Sequence, residues 1–284
     1  MAGGSGTRLR PASLGVNKQL MPVFDKPLIF YPCTTLMLSG IREILLISTP
    51  QDLPQYKRLF VNSKEWGIDL KFAEQTTPGG LAEALLIGEE FIQNEPVALI
   101  LGDNLFHGTG LGRHLLEDFT FPGALITAYQ VSNPKHFGVV EIDDDGIAIS
   151  LEEKPEVPKS RWAVPGIYFY DGTAVARAKT LARSKRGELE ITDLNKTYLH
   201  EGLLRVKVLA RGTTWLDMGT PKSLLEAAQY IQVIQERQGM LVGSPEEAAW
   251  RAGWISDSKL SNLAMEYQST EYGQLLMKLP QEGR

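Results

Sequence analysis

Apolar and amphipathic segments alternate along the first half of the chain. Apolar runs within Glu43–Thr49 and Val97–Leu101 predict buried strands, while apolar residues at helical spacing predict helices over Pro27–Ile41 and Leu81–Ile92. Strands that alternate with helices indicate an α/β protein, with a mostly parallel sheet flanked by helices on both faces. The same patterns predict shorter elements, namely helices at Pro54–Val61 and Leu111–Phe119 and a strand at Ile68–Ala73.

The second half of the chain begins with short β segments and ends in helices. Breaks at Gly239–Ser244, Gly253 and Gly273 divide the stretch from Pro221 to Leu279 into about four amphipathic helices. This change predicts a core over residues 1–220 and a C-terminal helical tail over residues 221–284. The elements predicted between the two regions are strands at Ala124–Val131, Gly138–Ile142, Ala148–Glu152, Ala163–Tyr170, Leu204–Ala210 and Thr214–Leu216, and helices at Ala174–Arg183 and Glu190–His200.

The composition is that of an ordinary soluble globular protein, with 284 residues, of which 43% are hydrophobic and 22% charged. A formal net charge of −5 argues against a nucleic-acid partner, because such binding depends on many Lys and Arg contacts to phosphate. The single cysteine, Cys33, permits no internal disulfide. The sequence shows neither a secretory leader nor an apolar run long enough to span a bilayer. We therefore predict a cytoplasmic protein without a membrane partner.

The N-terminal stretch is a candidate phosphate-binding loop. Gly3, Gly4 and Gly6 permit left-handed backbone and close approach of N–H groups to a ligand, and such turns form anion sites. Arg8 and Lys18 then supply full positive charges that match phosphate oxygens. The stretch lacks the Gly-Lys-Ser/Thr that closes a Walker A loop, and it is not GxGxxG. A loose glycine-rich chain end accounts for these residues equally well.

Two aspartates follow predicted strands directly, where ligands bind in open α/β sheets. Asp103 comes after the apolar run that ends at Leu101, and Asp217 follows Trp215-Leu216. A carboxylate placed there needs a compensating partner, and Mg²⁺ held by carboxylates and substrate phosphates would be one. The alternative is that each aspartate caps the turn that follows its strand.

Two further segments are candidate binding sites. Gln75 offers both a donor and an acceptor to the edge of a pyrimidine, and Gly80 would let the backbone approach the ring; a solvent-facing loop is the alternative. In Ser150–Pro155, Lys154 would bind a phosphate and a neighbouring carboxylate would take sugar hydroxyls, whereas a solvated charged turn is the alternative.

The four histidines show no metal-type spacing. That absence is compatible with phosphoryl or nucleotidyl transfer, which depends on positioning and charge.

Taken together, these motifs resemble the bacterial glucose-1-phosphate thymidylyltransferase family, in its short form with a C-terminal helical tail. The resemblance covers essentially the whole chain. It implies a Rossmann-like nucleotidyltransferase fold with an added sheet for the sugar phosphate, and a reaction in which dTTP and α-D-glucose 1-phosphate give dTDP-glucose and pyrophosphate. The segments that carry it are Ala2–Arg8, Asn17–Pro22, Asp25–Pro27, Glu74–Ala82, Leu101–Asn104, Phe137–Glu141, Ser150–Pro155, Arg186–Thr192 and Trp215–Thr220.

The resemblance implies a role for each candidate residue. The residues expected to hold and neutralise the nucleotide phosphates are Gly3, Gly4, Gly6, Thr7, Arg8 and Lys18. Those expected to read thymine are Gln75 and Gly80, and those expected to ligate Mg²⁺ are Asp103 and Asp217. Those expected to face the glucose phosphate are Gly138, Glu153, Lys154, Val164 and Tyr168, with Lys154 holding the nucleophile.

The resemblance also implies regulation and assembly. Arg211, Gly212, Glu247 and Arg251 resemble contacts of a second nucleotide site between the core and the tail, where dTDP-rhamnose gives feedback. From the residues alone, Trp250 at helical spacing indicates core packing better than a ligand platform. The family further implies a homotetramer and the first step of dTDP-L-rhamnose and deoxysugar biosynthesis.

The sequence departs from the family at its start. The family has a strand of the type Lys-Gly-Ile-Ile-Leu before the Ala-Gly-Gly, which would occupy the centre of the sheet, and this sequence has only Met1 there. We expect the loss of several buried apolar side chains to cost several kcal/mol, at roughly 1.5–3 kcal/mol each. Two other functions therefore stay open: a nucleotide-sugar-binding protein or truncated copy without activity, and a related enzyme that uses UTP or another sugar 1-phosphate.

Overall fold

The computed structural model describes residues 1–3, 6–117 and 122–283. Gly4 and the end of the helix predicted at Leu111–Phe119 lie outside these residues. The strands are β1 (Pro22–Val23), β2 (Lys26–Pro27), β3 (Glu43–Ser48), β4 (Asp69–Glu74), β5 (Val97–Ile100), β6 (Asn104–His107), β7 (Ala124–Gln130), β8 (Gly138–Ile142), β9 (Ala148–Glu153), β10 (Trp162–Val164), β11 (Ile167–Tyr170), β12 (Leu204–Val208) and β13 (Thr214–Asp217). The α-helices are α1 (Phe30–Leu38), α2 (Leu53–Leu59), α3 (Glu83–Ile87), α4 (Glu89–Ile92), α5 (Leu111–Glu117), α6 (Ala174–Thr180), α7 (Ile191–His200), α8 (Pro221–Gln238), α9 (Pro245–Arg251), α10 (Asp257–Met265) and α11 (Glu271–Glu282).

The largest sheet has the strand order β5-β11-β7-β10-β8-β9, with β12 on the other edge of β7. Neighbours along this order are antiparallel, whereas β12 runs parallel to β7 and β3 runs parallel to β4. The predicted α/β class and mixed sheet are confirmed. The predicted excess of parallel pairs is corrected, because most of the strand pairs described are antiparallel. The short connection between β8 and β9 favours the antiparallel pairing of these two strands, since parallel neighbours need long crossovers.

Proline and glycine explain where the observed elements depart from the predicted ones. The single strand predicted over Ala163–Tyr170 is divided into β10 and β11 by Pro165 and Gly166, because proline has no N–H to donate to a sheet. Gly88 likewise separates α3 from α4 inside the helix predicted at Leu81–Ile92. Gly273, predicted as a break, lies inside α11, where a Cβ would come within 2.1 Å of the Tyr267 carbonyl oxygen. Close packing therefore accounts for this glycine.

The tail helices share a hydrophobic core with the sheet region. Trp250 of α9 is buried in the same cluster as Phe30 of α1 and Trp66, whose rings meet edge to face 5.8 Å apart. The preference for core packing at Trp250 is thus confirmed, while the division at residue 220 stays a prediction. Within the described residues, no helix combines the length and apolar character needed to cross a bilayer.

In the described part of the chain, β3 pairs with β4 alone and β5 pairs with β11 alone, and an open slot lies between β3 and β5. Met1 and Ala2 bridge its upper end, where Met1 N–H donates to the Ile100 carbonyl (2.9 Å) and Ala2 N–H to the Ile47 carbonyl (2.7 Å). Below this bridge a cavity of about 560 Å³ is lined by apolar side chains of β3, β5, α1, α3 and α4. We call this space the strand slot.

Candidate active site

A second cavity, of about 730 Å³, opens where the N-terminal loop meets the carboxyl ends of β3, β4 and β5. We call it the main cavity. It brings together predicted residues from distant parts of the chain, namely Gly3, Arg8, Lys18, Gln75, Gly80, Asp103, Gly138, Glu153, Lys154, Val164, Tyr168 and Asp217. Gly6 and Thr7 belong to the loop but do not line this cavity among the described residues. Among the described loop residues predicted to bind phosphate, Gly3 and Arg8 line the main cavity.

The N-terminal loop is held by a short turn. Gly6 has φ of 52° and precedes the 3₁₀ helix Thr7–Leu9, a conformation that favours glycine. The Ser13 hydroxyl fixes this turn by donating to the Gly6 carbonyl at 2.7 Å. The turn presents the Arg8 guanidinium to the main cavity beside Gly219, where a Cβ would lie 3.6 Å from Arg8 Nη1. A glycine turn thus places a delocalised cation at the cavity wall.

Lys18 contributes a second cation, and its position is set by Asn17. The Asn17 side-chain oxygen accepts from Gln19 N–H (2.9 Å) and from the Tyr56 hydroxyl (2.8 Å), while its amide donates to Asp52 (2.6 Å). This arrangement caps the 3₁₀ helix Lys18–Leu20. Lys18 is buried, and its ammonium pairs with the Asp103 carboxylate. The sequence analysis predicts neither this cap nor the contacts with Asp52 and Tyr56.

The two predicted metal ligands meet through the pairing of β6 with β13. Asp217 pairs in register with Asn104, and Met218 N–H donates to the Asp103 carbonyl at 3.1 Å. Asn104 is buried and donates to Asp103 Oδ1 (2.9 Å), while its own oxygen accepts from Trp215 Nε1 (2.7 Å). These contacts hold the Asp103 carboxylate at the cavity. Neither Asn104 nor Trp215 is predicted as a site residue from the sequence.

The charges of Asp103 and Asp217 favour the binding of a cation between the two carboxylates. Burial raises the pKa of the Asp217 carboxyl, the nearby Asp103 raises it further, and Lys18, Arg8 and Lys154 lower it. Groups of three or more metal-binding side chains do not occur among the described residues. The protein therefore offers two carboxylates, and this donor set fits Mg²⁺, which takes its remaining oxygens from phosphates and water.

The region around Gln75 differs in one respect from the prediction. Gly80 lines the main cavity with φ of 98°, but a Cβ on it would meet the Leu189 backbone nitrogen at 2.5 Å. Glycine is thus required here by the approach of residue 189 as well as by the positive φ. The buried Gln75 donates from Nε2 to Glu83 Oε2 at 2.7 Å. The sequence carries no signal for this contact with Glu83.

The opposite wall carries the residues predicted to face a sugar phosphate. Glu153 accepts from the Thr192 hydroxyl at 2.6 Å and pairs with Lys154 Nζ at 2.9 Å. Gly138 pairs in register with both Glu153 and Val164, so these residues lie side by side in adjacent strands. Lys154 has φ of 44° and its side chain is about half exposed. Its ammonium, although paired with Glu153, is therefore accessible to a ligand in the cavity.

Tyr168 also lies on this wall, in β11. Its side chain is buried, and burial raises the pKa of its phenol. The ring stacks with that of Tyr170 at a centroid distance of 6.3 Å. A neutral hydroxyl on a packed ring can present hydrogen bonds to a ligand without a large change of conformation.

The residues predicted for regulation lie away from the main cavity. Glu247 and Arg251 form an ion pair of 2.7 Å along α9, with the glutamate side chain buried and the arginine about half exposed. Arg211 and Gly212 occupy an exposed turn between β12 and β13. Burial raises the pKa of Glu247, and the Arg251 partner opposes this shift. The regulatory role of these four residues stays a prediction.

A glycine loop, cationic side chains and paired carboxylates at the carboxyl ends of strands define a class of enzyme that handles phosphorylated ligands. Comparison with known proteins gives the family. The chain belongs to the nucleotidyl transferase family, which matches residues 1–233. The resemblance found in the sequence is confirmed, and the chain is an enzyme of the nucleotidyltransferase class.

Curated relatives match the chain over nearly its full length. A glucose-1-phosphate thymidylyltransferase of Mycolicibacterium smegmatis is 53% identical over 279 residues, which cover 98% of this chain and 97% of that protein. One of Neisseria meningitidis is 52% identical over 280 residues, with the same coverage. A solved structure of a Bacillus anthracis glucose-1-phosphate thymidylyltransferase in complex with a sucrose has 35% identity and a TM-score of 0.75, over 81% of this chain and 92% of that one.

Proposed function

We propose that this chain transfers a thymidylyl group from dTTP to α-D-glucose 1-phosphate in a reaction that requires Mg²⁺ and releases pyrophosphate. The observation that carries the proposal is that Arg8, Lys18 and the two aspartates border the same cavity as Lys154. Two mutually repelling phosphate esters need such an arrangement of charge if they are to approach each other. The names of the relatives supply the identity of the substrates.

In the proposed reaction, a phosphate oxygen of glucose 1-phosphate attacks the α-phosphorus of dTTP in line. A new bond forms between that oxygen and phosphorus, and the bond from phosphorus to the bridging oxygen breaks. The electron pair leaves with pyrophosphate, so no covalent intermediate on the protein is needed. The chain must therefore position the two phosphates and neutralise their charge.

The cations divide these tasks between the two ends of the cavity. Arg8 would follow negative charge onto the leaving pyrophosphate, which a planar guanidinium can bind through two parallel hydrogen bonds. Lys154 would hold the sugar phosphate at attack distance, which is an orientation effect. Glu153, held by Thr192, would accept hydrogen bonds from sugar hydroxyls.

The carboxylates would hold Mg²⁺, which when bound would supply positive charge that screens the repulsion between the substrate phosphates. Asp103 and Asp217 are the residues that would ligate it. Lys18 pairs with Asp103 and holds that carboxylate in place. The buried Asn104 prevents the carboxylate from rotating, because it donates to the other oxygen.

Pyrophosphate release tests the proposal most directly. Purified protein is incubated with dTTP and glucose 1-phosphate, before and after removal of divalent cations with EDTA, and then with Mg²⁺ restored. We expect release that depends on both substrates and returns with Mg²⁺. Folded protein that binds nucleotide but releases no pyrophosphate from any pair would support the binding-protein alternative.

UTP is the second nucleotide to be tested, because it shares the hydrogen-bonding edge of dTTP. A single methyl group distinguishes thymine from uracil and gives only about 1–3 kcal/mol of discrimination. We expect some turnover with UTP and none with purine nucleotides. Turnover confined to UTP, or to another sugar 1-phosphate, would support the related-enzyme alternative.

We also propose that the protein assembles as a homotetramer and is inhibited by dTDP-rhamnose. Its reaction would be the first step of dTDP-L-rhamnose and deoxysugar biosynthesis. The support for feedback is the resemblance of Arg211, Gly212, Glu247 and Arg251 to the family's second site. The Arg251 side chain pairs with Glu247 and is about half exposed, so its guanidinium is accessible to a phosphate. Light scattering should give four times the mass of one chain. Arg251→Ala should raise the inhibitory concentration of dTDP-rhamnose while leaving turnover without inhibitor unchanged, and the exposed Arg237→Ala serves as the control. Equal inhibition of both variants would contradict the assignment.

A further inference from the structure

Glu83 is a partly buried carboxylate in contact with Gln75, and the mechanism does not use it. Its side chain is 16% exposed, and Oε2 accepts from Gln75 Nε2 at 2.7 Å. Gln75 Nε2 also lies 3.4 Å from the Gly80 carbonyl oxygen. The two N–H groups of the Gln75 amide are therefore directed at acceptors of the protein.

The chemistry of a carboxylate fixes which way the Gln75 amide faces. An ionised carboxylate only accepts hydrogen bonds, so the amide must turn its NH₂ group toward Glu83. The carbonyl oxygen Oε1 then lies on the side of the glycine loop, where a Cβ on Gly3 would be 3.1 Å from it. Both Gly3 and Gln75 line the main cavity. What Gln75 offers a ligand is consequently an acceptor.

We infer that Glu83 is a positioning residue that selects pyrimidines carrying an N3–H group, through its hold on Gln75. This inference rests on the proposed function, in which Gln75 reads the base. Thymine and uracil have a proton on N3 that Oε1 can accept, whereas N3 of cytosine is itself an acceptor. A cytosine in the same place would set two acceptors against each other, which is costly in a buried site.

The surroundings of Glu83 favour the observed position of its carboxylate. A Cβ on Gly79 would lie 1.9 Å from Glu83 Oε1, so a larger residue at this position would displace the carboxylate from where it lies. Arg183 Nη2 donates to the same oxygen at 3.2 Å, and its Nη1 donates to the Gly187 carbonyl at 2.8 Å. An exposed arginine alone contributes little to stability. The contacts of Arg183 orient the Glu83 carboxylate, which in turn orients Gln75.

The test is an isosteric exchange, Glu83→Gln. A neutral amide can accept or donate, so Gln75 becomes able to rotate and to present its NH₂ group to N3 of cytosine. We expect the ratio of kcat/KM for dTTP over dCTP to fall about 10- to 100-fold, while the ratio for dTTP over dUTP stays the same. Glu89→Gln is the matched control, because Glu89 pairs with Lys179 on the surface.

Binding measurements separate this inference from the proposed reaction. Equilibrium dissociation constants for dTTP and dCTP, measured by calorimetry without sugar phosphate, give the same selectivity ratio whether or not the protein turns over. A ratio unchanged by Glu83→Gln in folded protein would overturn the inference. A ratio unchanged by Gln75→Ala would overturn the assignment of Gln75 as the base reader, and the inference with it. A wild-type protein that binds dCTP as well as dTTP would also overturn the inference.

Discussion

Replacing Arg8 with alanine should lower kcat at least ~10²-fold, which is the loss measured when one preorganised charge donor is removed from an active site. The Arg8 side chain reaches the same Gly219 backbone as Asp217, since a Cβ on Gly219 would lie 3.0 Å from Asp217 Oδ2 and 3.6 Å from Arg8 Nη1. A charge that develops on the leaving pyrophosphate would form beside it. Alanine leaves that charge without the cation that the Arg8 guanidinium supplies at the cavity wall.

Arg10 provides the matched control, because it belongs to the same loop and is exposed. It does not line the main cavity among the described residues. Steady-state turnover of wild type, Arg8→Ala and Arg10→Ala should show the loss in the first variant only. Single-turnover measurements then show whether the chemical step is the one affected. Near-normal kcat in folded Arg8→Ala would remove this residue from the mechanism.

The sequence predicts the individual residues of the site better than it predicts which of them lie close together. Asp103 and Asp217 each follow an apolar stretch, and that local pattern suffices to select them. Their proximity depends on the pairing of β6 with β13, and β6 begins directly after Asp103, where the pattern indicates the end of a strand. Pairing between distant strands depends on the whole fold, so a local window carries no information about it.

The supporting residues are harder to predict than those facing the cavity. Asn17 caps a short 3₁₀ helix, and its contacts with Asp52 and Tyr56 join segments that are far apart in the chain. Gln75 and Glu83 are close in sequence, yet their contact depends on Gly79 leaving space for a carboxylate. Such contacts can be identified only from the three-dimensional positions of the backbone.

The strand slot leads to the second large expected effect, on stability. Ile44 and Leu46 of β3 belong to the core cluster on the α1 side, and Ile47 belongs to the cluster on the α3 side. An extended segment between β3 and β5 would bury side chains against both clusters and pair with both strand edges. Two added isoleucines at roughly 1.5–3 kcal/mol each correspond to a rise in Tm of roughly 10 °C for a chain of this size.

The experiment is a variant that carries Lys-Gly-Ile-Ile ahead of Met1, compared with the unextended chain and with a control that carries Lys-Gly-Ser-Ser. Thermal unfolding should show the higher Tm for the isoleucine variant alone, because the serine control offers the same hydrogen bonds without the apolar side chains. Equal Tm values for the two extended chains would show that the slot does not accept a strand.

The extension should also change how stability depends on pH. Burial lowers the pKa of the Met1 amino group from 8.0 to about 6, with Asp103 opposing the shift. The unfolded chain therefore binds more protons than the folded chain between about pH 6 and 8, and the stability of the unextended protein should rise with pH across that interval. In either extended chain this amine becomes an amide, so that part of the pH dependence should disappear from both. A rise that persists unchanged in both would place its origin in another group.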